Sequence, residues 1–170
     1  MKGLVHIYTG NGKGKTTAAL GLALRATGQG MKVIVIQFLK GKADCGEHIF
    51  TAKYNAFEIV QFTHGNCFVL PEEQLKEDVE RAIDFTHKTI HSGKYQMVIL
   101  DEVFIAIRRR LLQTEMLVRI VKSKPDSLEL ILTGSSAPTE IRELADYVTD
   151  MRMEKHPYLE GVAARKGIEY

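Results

Sequence analysis

Apolar residues recur along this chain in short runs that are nearly continuous and rich in β-branched side chains. A continuous apolar run is typical of a strand buried on both faces, as in a parallel sheet covered by helices. The pattern therefore predicts a sheet whose strands lie inside the domain. The predicted strands are residues 4–8, 33–39, 57–62, 97–100 and 128–132.

Helical segments fill the intervals between these runs. Residues 16–27 are rich in Ala and Leu and end at Gly28, and residues 71–91 open with Pro-Glu-Glu, which suits a helix N-terminus. We predict one or two helices within 103–122 and another over 139–147. Strands that alternate with helices imply right-handed crossovers and an α/β fold with a doubly wound, mostly parallel sheet.

Three segments lack a clear period. Residues 41–48 and 64–71 each follow a predicted strand, so both are candidates for the sheet edge where ligands of such folds bind. The tail, about 156–170, is interpreted as an extended segment packed on the domain or as a flap. With 170 residues, the chain 1–170 is predicted to be one domain that carries this tail.

Composition excludes several classes of protein. Hydrophobic residues make up 45% and charged residues 26% of the chain, an ordinary mixture for a globular domain. The net charge of +2 is too small to indicate nucleic acid or an acidic membrane as the main partner. No apolar run approaches the roughly 20 residues that span a bilayer, and no signal-peptide pattern opens the chain. We therefore expect a cytoplasmic protein, with Cys45 and Cys67 as reduced thiols without metal-ligand spacing.

A glycine-rich loop lies between the first predicted strand and the first predicted helix. Its glycines allow backbone N–H groups to approach phosphate oxygens, and the helix N-terminus adds the positive end of its dipole. In such a P-loop the lysine meets the phosphates and the next hydroxyl can ligate Mg²⁺. The pattern predicts a nucleoside triphosphate site on a P-loop NTPase (RecA-like) fold. The loop and the residue after it read Thr9, Gly10, Asn11, Gly12, Lys13, Gly14, Lys15, Thr16 and Thr17.

Two carboxylates, Asp101 and Glu102, end the predicted strand 97–100. Beside a P-loop, carboxylates at a strand end can hold Mg²⁺ directly or through water. Glu102 could share this metal or act as a base. The alternative is a solvated strand terminus with no function, which the presence of the P-loop makes less favourable.

Longer strings of this sequence resemble a known family, the P-loop-type ATP:corrinoid adenosyltransferases, also called cob(I)alamin adenosyltransferases. The string that begins Thr-Gly-Asn-Gly-Lys-Gly-Lys-Thr-Thr is far more specific than a generic P-loop, and the resemblance covers nearly the whole chain. The matching segments are 9–19, 25–30, 36–41, 100–102, 132–134, 143–146, 155–157, 161–162 and 167–170.

The resemblance implies that the protein transfers the 5′-deoxyadenosyl group of ATP to the cobalt of a reduced corrinoid and releases triphosphate. Because Co(I) is itself a strong nucleophile, the enzyme needs no nucleophilic side chain. The resemblance also implies a homodimer and a flavoprotein that supplies the reductant. It assigns Lys15 and Glu102 to catalysis and, with the P-loop, Arg25 to the binding of ATP. Mg²⁺, or Mn²⁺ in its place, would be held by Thr16, Asp101 and Glu102.

The sequence departs from the family in two places. The family carries a Gly-Phe-Thr-Trp segment whose aromatic residues press on the corrinoid, whereas residues 64–69 read His-Gly-Asn-Cys-Phe-Val and the chain has no Trp. Phe68 is therefore the candidate for the corrinoid contact; the alternative is that Phe68 fills the core beneath the loop. The family often has Arg after Thr-Gly, and here Ser135 follows Gly134.

Two other functions remain open from the sequence. A small P-loop phosphotransferase or ATPase would release ADP rather than triphosphate. A non-catalytic ATP-binding module that contacts a partner protein would bind ATP without turnover of reduced corrinoid.

Overall fold

The computed structural model describes residues 2–41 and 45–170, and within them six parallel strands form one sheet in the order β3-β2-β4-β5-β1-β6. This arrangement confirms the predicted α/β fold with a parallel sheet. The predicted strands are all found, with ends that differ by no more than two residues. The strands are β1 Val5–Thr9, β2 Val33–Gln37, β3 Glu58–Gln61, β4 Met97–Asp101, β5 Glu129–Thr133 and β6 Tyr147–Asp150.

Helices connect the strands and cover both faces of the sheet. The region 103–122 contains two helices, in agreement with the sequence. In the described residues, no helix combines the length and the apolar character needed to cross a membrane. The helices are α1 Lys15–Gly28, α2 Gly46–Tyr54, α3 Glu72–His91, α4 Val103–Arg108, α5 Thr114–Ser123 and α6 Thr139–Arg142, followed by a 3₁₀-helix at Pro157–Glu160.

Alternate residues of the central strands supply two separate cores. In β4, Val98 and Leu100 pack beneath the helices α3, α4 and α5, whereas Ile99 packs on the other face against α1. The buried positions of α1 are Ala19, Ala23 and Ala26, so this helix lies close to the sheet through small side chains. Its close packing fixes the P-loop, which leads directly into it.

Two predictions of local structure are wrong. The segment 139–147 was expected to be one helix, but α6 ends at Arg142 and Tyr147 begins β6. β6 is the strand at one edge of the sheet, where it pairs with β1, and it is exposed along its length. It therefore lacks the continuous apolar run of the inner strands. Helix α2 begins within the segment 41–48, which was expected to be irregular and of which residues 42–44 lie outside the described residues. The helix was not visible in the sequence, because none of its residues is buried and it carries little apolar periodicity.

The segment after β6 returns across the P-loop. Met151 N–H donates to the Thr9 carbonyl at 2.8 Å, and the Met151 carbonyl accepts from Gly12 N–H at 2.7 Å. Further along, Lys13 Nζ lies 2.8 Å from Glu169 Oε1. The C-terminal residues therefore pack beside the loop, and they contribute to the walls of the candidate site.

Candidate nucleotide-binding site

The P-loop joins β1 to α1 through a tight glycine turn. Gly10 and Gly14 have φ of +101° and +114°, values that favour glycine. A Cβ at Gly10 would lie 2.4 Å from the Met151 carbonyl oxygen, so a side chain at that position is also excluded by space. Lys15 Nζ donates to the Gly12 carbonyl at 2.7 Å and thereby closes the loop. The first turn of α1 has no acidic residue, so the positive end of its dipole is available to an anion.

The carboxylate of Asp101 lies at the end of β4 and is only 1% exposed. Its Oδ1 accepts from the hydroxyls of Thr16 and Thr133 at 2.9 and 2.7 Å. Its Oδ2 accepts from Gln37 Nε2 at 3.2 Å and from Lys40 Nζ at 2.7 Å. The structure therefore brings together Thr16 and Asp101, which the sequence predicted to share a metal, and surrounds Asp101 with additional donors.

Glu102 follows Asp101 in the left-handed region, with φ of +62°. Its backbone N–H donates to Thr133 Oγ1 at 2.9 Å, which holds this unusual backbone conformation in place. Burial raises the pKa of the Glu102 carboxyl, and the negative charge of Asp101 raises it further, against the opposing effect of Lys40. A divalent cation beside Glu102 would relieve this repulsion and favour the ionised form.

Two cavities lie side by side at this edge of the sheet. The smaller, of about 220 Å³, is lined by the lysines Lys13 and Lys15 and by the carboxylates Glu102 and Glu169, among others. The larger, of about 1060 Å³, exceeds the space that a nucleotide alone needs. Thr16 and Glu102 line both cavities. The apolar side chains around the larger cavity include Leu20, Leu24, Phe50, Phe57, Phe68 and Ile168.

Phe68 lies on the loop that follows β3 and is 89% exposed. The hypothesis that Phe68 fills the core is therefore wrong. Asn66 Oδ1 accepts from Phe68 N–H at 3.0 Å, and Arg109 Nη1 donates to the Cys67 carbonyl at 3.1 Å. These contacts hold the loop at the mouth of the large cavity, with the Phe68 ring as part of its wall.

The structure does not bring Arg25 to the other site residues. It lies exposed in the last turn of α1, about 15 Å along the helix axis from Lys15. Its charge acts on Tyr8. Burial raises the pKa of the Tyr8 hydroxyl, and the positive charge of Arg25 offsets part of that rise. A direct contact of Arg25 with ATP is thus the sequence-predicted role that the geometry supports least.

Lys40 is a site residue that sequence reasoning missed. It follows Leu39, whose φ of +54° turns the chain after β2 and directs Lys40 toward Asp101. Burial by itself would lower the Lys40 pKa, but the charge of Asp101, the hydrogen bond to it and the charges of Glu102 and Glu47 together raise that pKa above its ordinary value. The sequence did contain a signal for Lys40, because this residue is the polar end of an otherwise apolar run. It also lies in the segment 36–41, which the family resemblance already included.

A polar network behind Asp101 connects β2 to α2 and β3. Gln37 Oε1 accepts from Gln61 Nε2 at 2.8 Å and lies 2.8 Å from His48 Nε2. Burial lowers the pKa of the His48 imidazole, and the positive charge of Lys40 lowers it further, although Glu47 opposes the shift. Helix α2 is therefore attached to the carboxylate site through Gln37, which contacts both His48 and the Glu47 carboxylate of this helix.

We expect this network to make the folded protein sensitive to acid. Because the folded-state pKa of His48 is below its ordinary value of 6.5, the unfolded chain binds the proton more readily. The contribution to stability is complete above about pH 6.5 and is lost as the pH falls through the folded-state pKa. Thermal unfolding between pH 7.5 and 5 should show a smaller acid loss in His48→Gln than in the wild type. Superimposable profiles would exclude this role.

The loop, the strand-end carboxylates and the helix N-terminus define a P-loop nucleotide-binding protein. The model of the ATP:corrinoid adenosyltransferase BtuR/CobO/CobP family matches residues 1–170. The chain belongs to this family.

Curated relatives agree with this assignment. The corrinoid adenosyltransferase of Sinorhizobium sp is 35% identical, over 99% of this chain and 81% of the relative. Those of Pseudomonas aeruginosa and Escherichia coli are 32% and 34% identical over 99% of this chain, and over 84% and 86% of the relatives. A KaiC-like protein from Pyrococcus horikoshii has a similar structure, with a TM-score of 0.57, 18% identity, and coverage of 91% of this chain and 75% of that chain. This last likeness concerns the fold alone.

Proposed function

We propose that the protein transfers the 5′-deoxyadenosyl group of ATP to the cobalt of a reduced corrinoid and releases triphosphate. The observation that carries this proposal is the pair of adjoining cavities, one small and formed on the P-loop with its two lysines, the other large and lined mainly by apolar groups. Triphosphate suits the first cavity, and a flat macrocycle suits the second. Because Thr16 and Glu102 line both cavities, a nucleotide held by the P-loop would lie next to the macrocycle.

The reaction forms a bond between cobalt and the ribose C5′ and breaks the bond between C5′ and the phosphate oxygen. Co(I) supplies the electron pair of the new bond, and triphosphate leaves with the pair of the broken bond. The leaving group is stabilised by Lys15, by Lys13 and by the N-terminus of α1, which all face the small cavity. The protein therefore acts through position and charge.

The donor set at the carboxylates fits Mg²⁺, with Mn²⁺ as a substitute. Thr16, Asp101 and Glu102 offer hard oxygen atoms, the ligands that these ions prefer. In the described part of the chain, no three His, Cys, Asp or Glu side chains gather into a metal site. This agrees with an ion that takes its other ligands from substrate phosphates and water. When bound, Mg²⁺ neutralises charge on the triphosphate.

Phe68 is proposed to contact the corrin ring. Its ring is exposed on the wall of the large cavity, on a loop that follows a strand at the ligand edge. An aromatic face against the macrocycle would stabilise the form of the corrinoid that accepts an electron. The missing Trp of the family is in this way replaced by a smaller aromatic residue.

Replacing Phe68 by alanine should leave thermal stability nearly unchanged, because the side chain is 89% exposed. Activity should fall about 3- to 10-fold with Co(II) corrinoid plus reductant, in line with an aromatic contact, and less with pre-formed Co(I). Phe57→Ala is a matched control: Phe57 lines the same cavity but is buried, so its loss should cost about 3–5 kcal/mol of stability. A stable Phe68 variant with two normal assays would remove Phe68 from the mechanism.

The decisive test of the proposed reaction is anaerobic incubation with ATP, Mg²⁺ and chemically generated cob(I)alamin. The visible spectrum should change to that of the adenosylated corrinoid, and triphosphate should appear in equal amount. Release of ADP would instead support a phosphotransferase or ATPase. Binding of ATP without corrinoid turnover would support a non-catalytic module.

We further propose a homodimer that works in the cytoplasm with a flavoprotein as the source of electrons, without nucleic acid or a membrane as partner. Family membership supports the corrinoid and ATP, and the low net charge of +2 supports the absence of a nucleic-acid partner. Light scattering of the purified protein tests the dimer. Replacement of the chemical reductant by a reduced flavoprotein in the corrinoid assay tests the electron source.

A further inference from the structure

The four donors around Asp101 fill its carboxylate. An ionised carboxylate offers about four lone-pair sites, and the hydroxyls of Thr16 and Thr133, the Gln37 amide and the Lys40 ammonium use them. A divalent cation cannot coordinate this carboxylate unless one donor leaves. The identity of that donor determines how metal enters the site.

Lys40 is the donor that is free to leave. The hydroxyls of Thr16 and Thr133 belong to α1 and β5, and Gln37 is buried in its network with Gln61. Lys40, in contrast, has a long flexible stem, keeps 29% of its side chain exposed and lines the large cavity. Its movement would break one ion pair and leave the remaining contacts of Asp101 intact.

The Lys40 ammonium also lies where a cation would be expected. Its Nζ is 2.7 Å from Asp101 Oδ2 and 3.5 Å from Thr16 Oγ1, the two groups that the P-loop arrangement assigns to the metal. A positive charge at this position balances the buried carboxylate, and the same charge repels a second cation.

We propose that Lys40 is an internal cation that holds the position between Asp101 and Thr16 and gives it up when magnesium-bound ATP arrives. The inference rests on the proposed function, because it assumes that the divalent cation enters the site together with ATP. Once released, the Lys40 ammonium remains at the cavity wall, where a phosphate or ribose oxygen can receive it. The nucleotide-free protein should therefore bind divalent cations poorly.

The experiment measures Mn²⁺ binding to nucleotide-free protein, through the electron paramagnetic resonance signal of free Mn²⁺. Lys40→Met should lower the Mn²⁺ dissociation constant at least about tenfold, since a nearby positive charge is removed. Lys32→Met removes an exposed lysine from the other end of β2 and should leave the constant within about twofold of the wild type. Adding Asp101→Asn to Lys40→Met should abolish the gain.

Unchanged Mn²⁺ affinity in folded Lys40→Met would overturn the proposal. If Lys40→Met fails to fold, Lys40→Gln removes the charge but keeps an amide donor beside Asp101, and a smaller gain in the same direction, of at least about threefold, is expected of it. The measurement contains neither ATP nor corrinoid, so its failure is separate from failure of the proposed reaction. A gain in Mn²⁺ affinity in a protein that does not adenosylate corrinoid would support the exchange and overturn only that reaction.

Discussion

Replacing Lys15 by alanine is expected to bring adenosyl transfer to the background level while the fold is retained. Lys15 Nζ donates to the Gly12 carbonyl in the small cavity, so its loss removes the charge that meets the triphosphate without opening a core. A charge-assisted hydrogen bond of this kind corresponds to about 10- to 100-fold in ATP affinity. The effect on turnover should be larger, because charge on the phosphate oxygen grows as the C5′ bond breaks.

Isothermal titration with ATP and the corrinoid assay measure these two effects. Lys13→Ala is the matched control, because Lys13 belongs to the same loop but is exposed and is paired with Glu169. Its effect should be smaller than that of Lys15→Ala in both measurements. Circular dichroism checks that both variants are folded. An unchanged affinity together with unchanged turnover would exclude Lys15 from the mechanism.

The P-loop could be predicted in full from the sequence because its parts are contiguous. Thr9, the glycines and Lys15 need only a strand before them and a helix after them, and both are visible in the apolar pattern. The approach of Thr16 to Asp101 was also predictable across 85 positions. It follows from the rule that the carboxyl ends of parallel strands meet at one edge.

The contacts around Asp101 depend on strand order, which the sequence does not reveal. β2 lies beside β4 with Gln37 opposite Asp101, and this register places the Gln37 amide on the carboxylate. The same neighbour relation brings Lys40 to Asp101. Without the knowledge that β2 pairs with β4, the polar end of β2 is only one of several polar strand ends at this edge, and nothing in the sequence assigns it to Asp101.

The exposure of Phe68 could not be predicted either, because an aromatic residue in a short loop satisfies a core and a cavity wall equally well. The structure decides through the loop anchors, since Asn66 and Arg109 hold the backbone and leave the ring outside. The contribution of the tail to the site was not visible in the sequence either. Glu169 reaches Lys13 across 156 positions, through a segment with little periodicity.

Loss of the negative charge is expected to lower the stability of the folded protein strongly at Asp101 but not at Glu102. In Asp101→Asn, the amide presents a donor to at least two of the four donors that now face the carboxylate. Because this group is 1% exposed, the loss should amount to about 3–5 kcal/mol of unfolding free energy. Urea unfolding measures this loss directly.

Glu102→Gln should leave stability unchanged or slightly higher. Burial and the charge of Asp101 raise the Glu102 pKa, so the folded state prefers the neutral form, and this preference lowers stability as the pH rises through the folded-state pKa. The neutral amide avoids that cost. The variant loses the carboxylate that faces both cavities, so we expect the Mg²⁺ concentration for half-maximal activity to rise at least about tenfold. If Asp101→Asn and Glu102→Gln both kept a normal Mg²⁺ response, the metal would have to be held by another ligand.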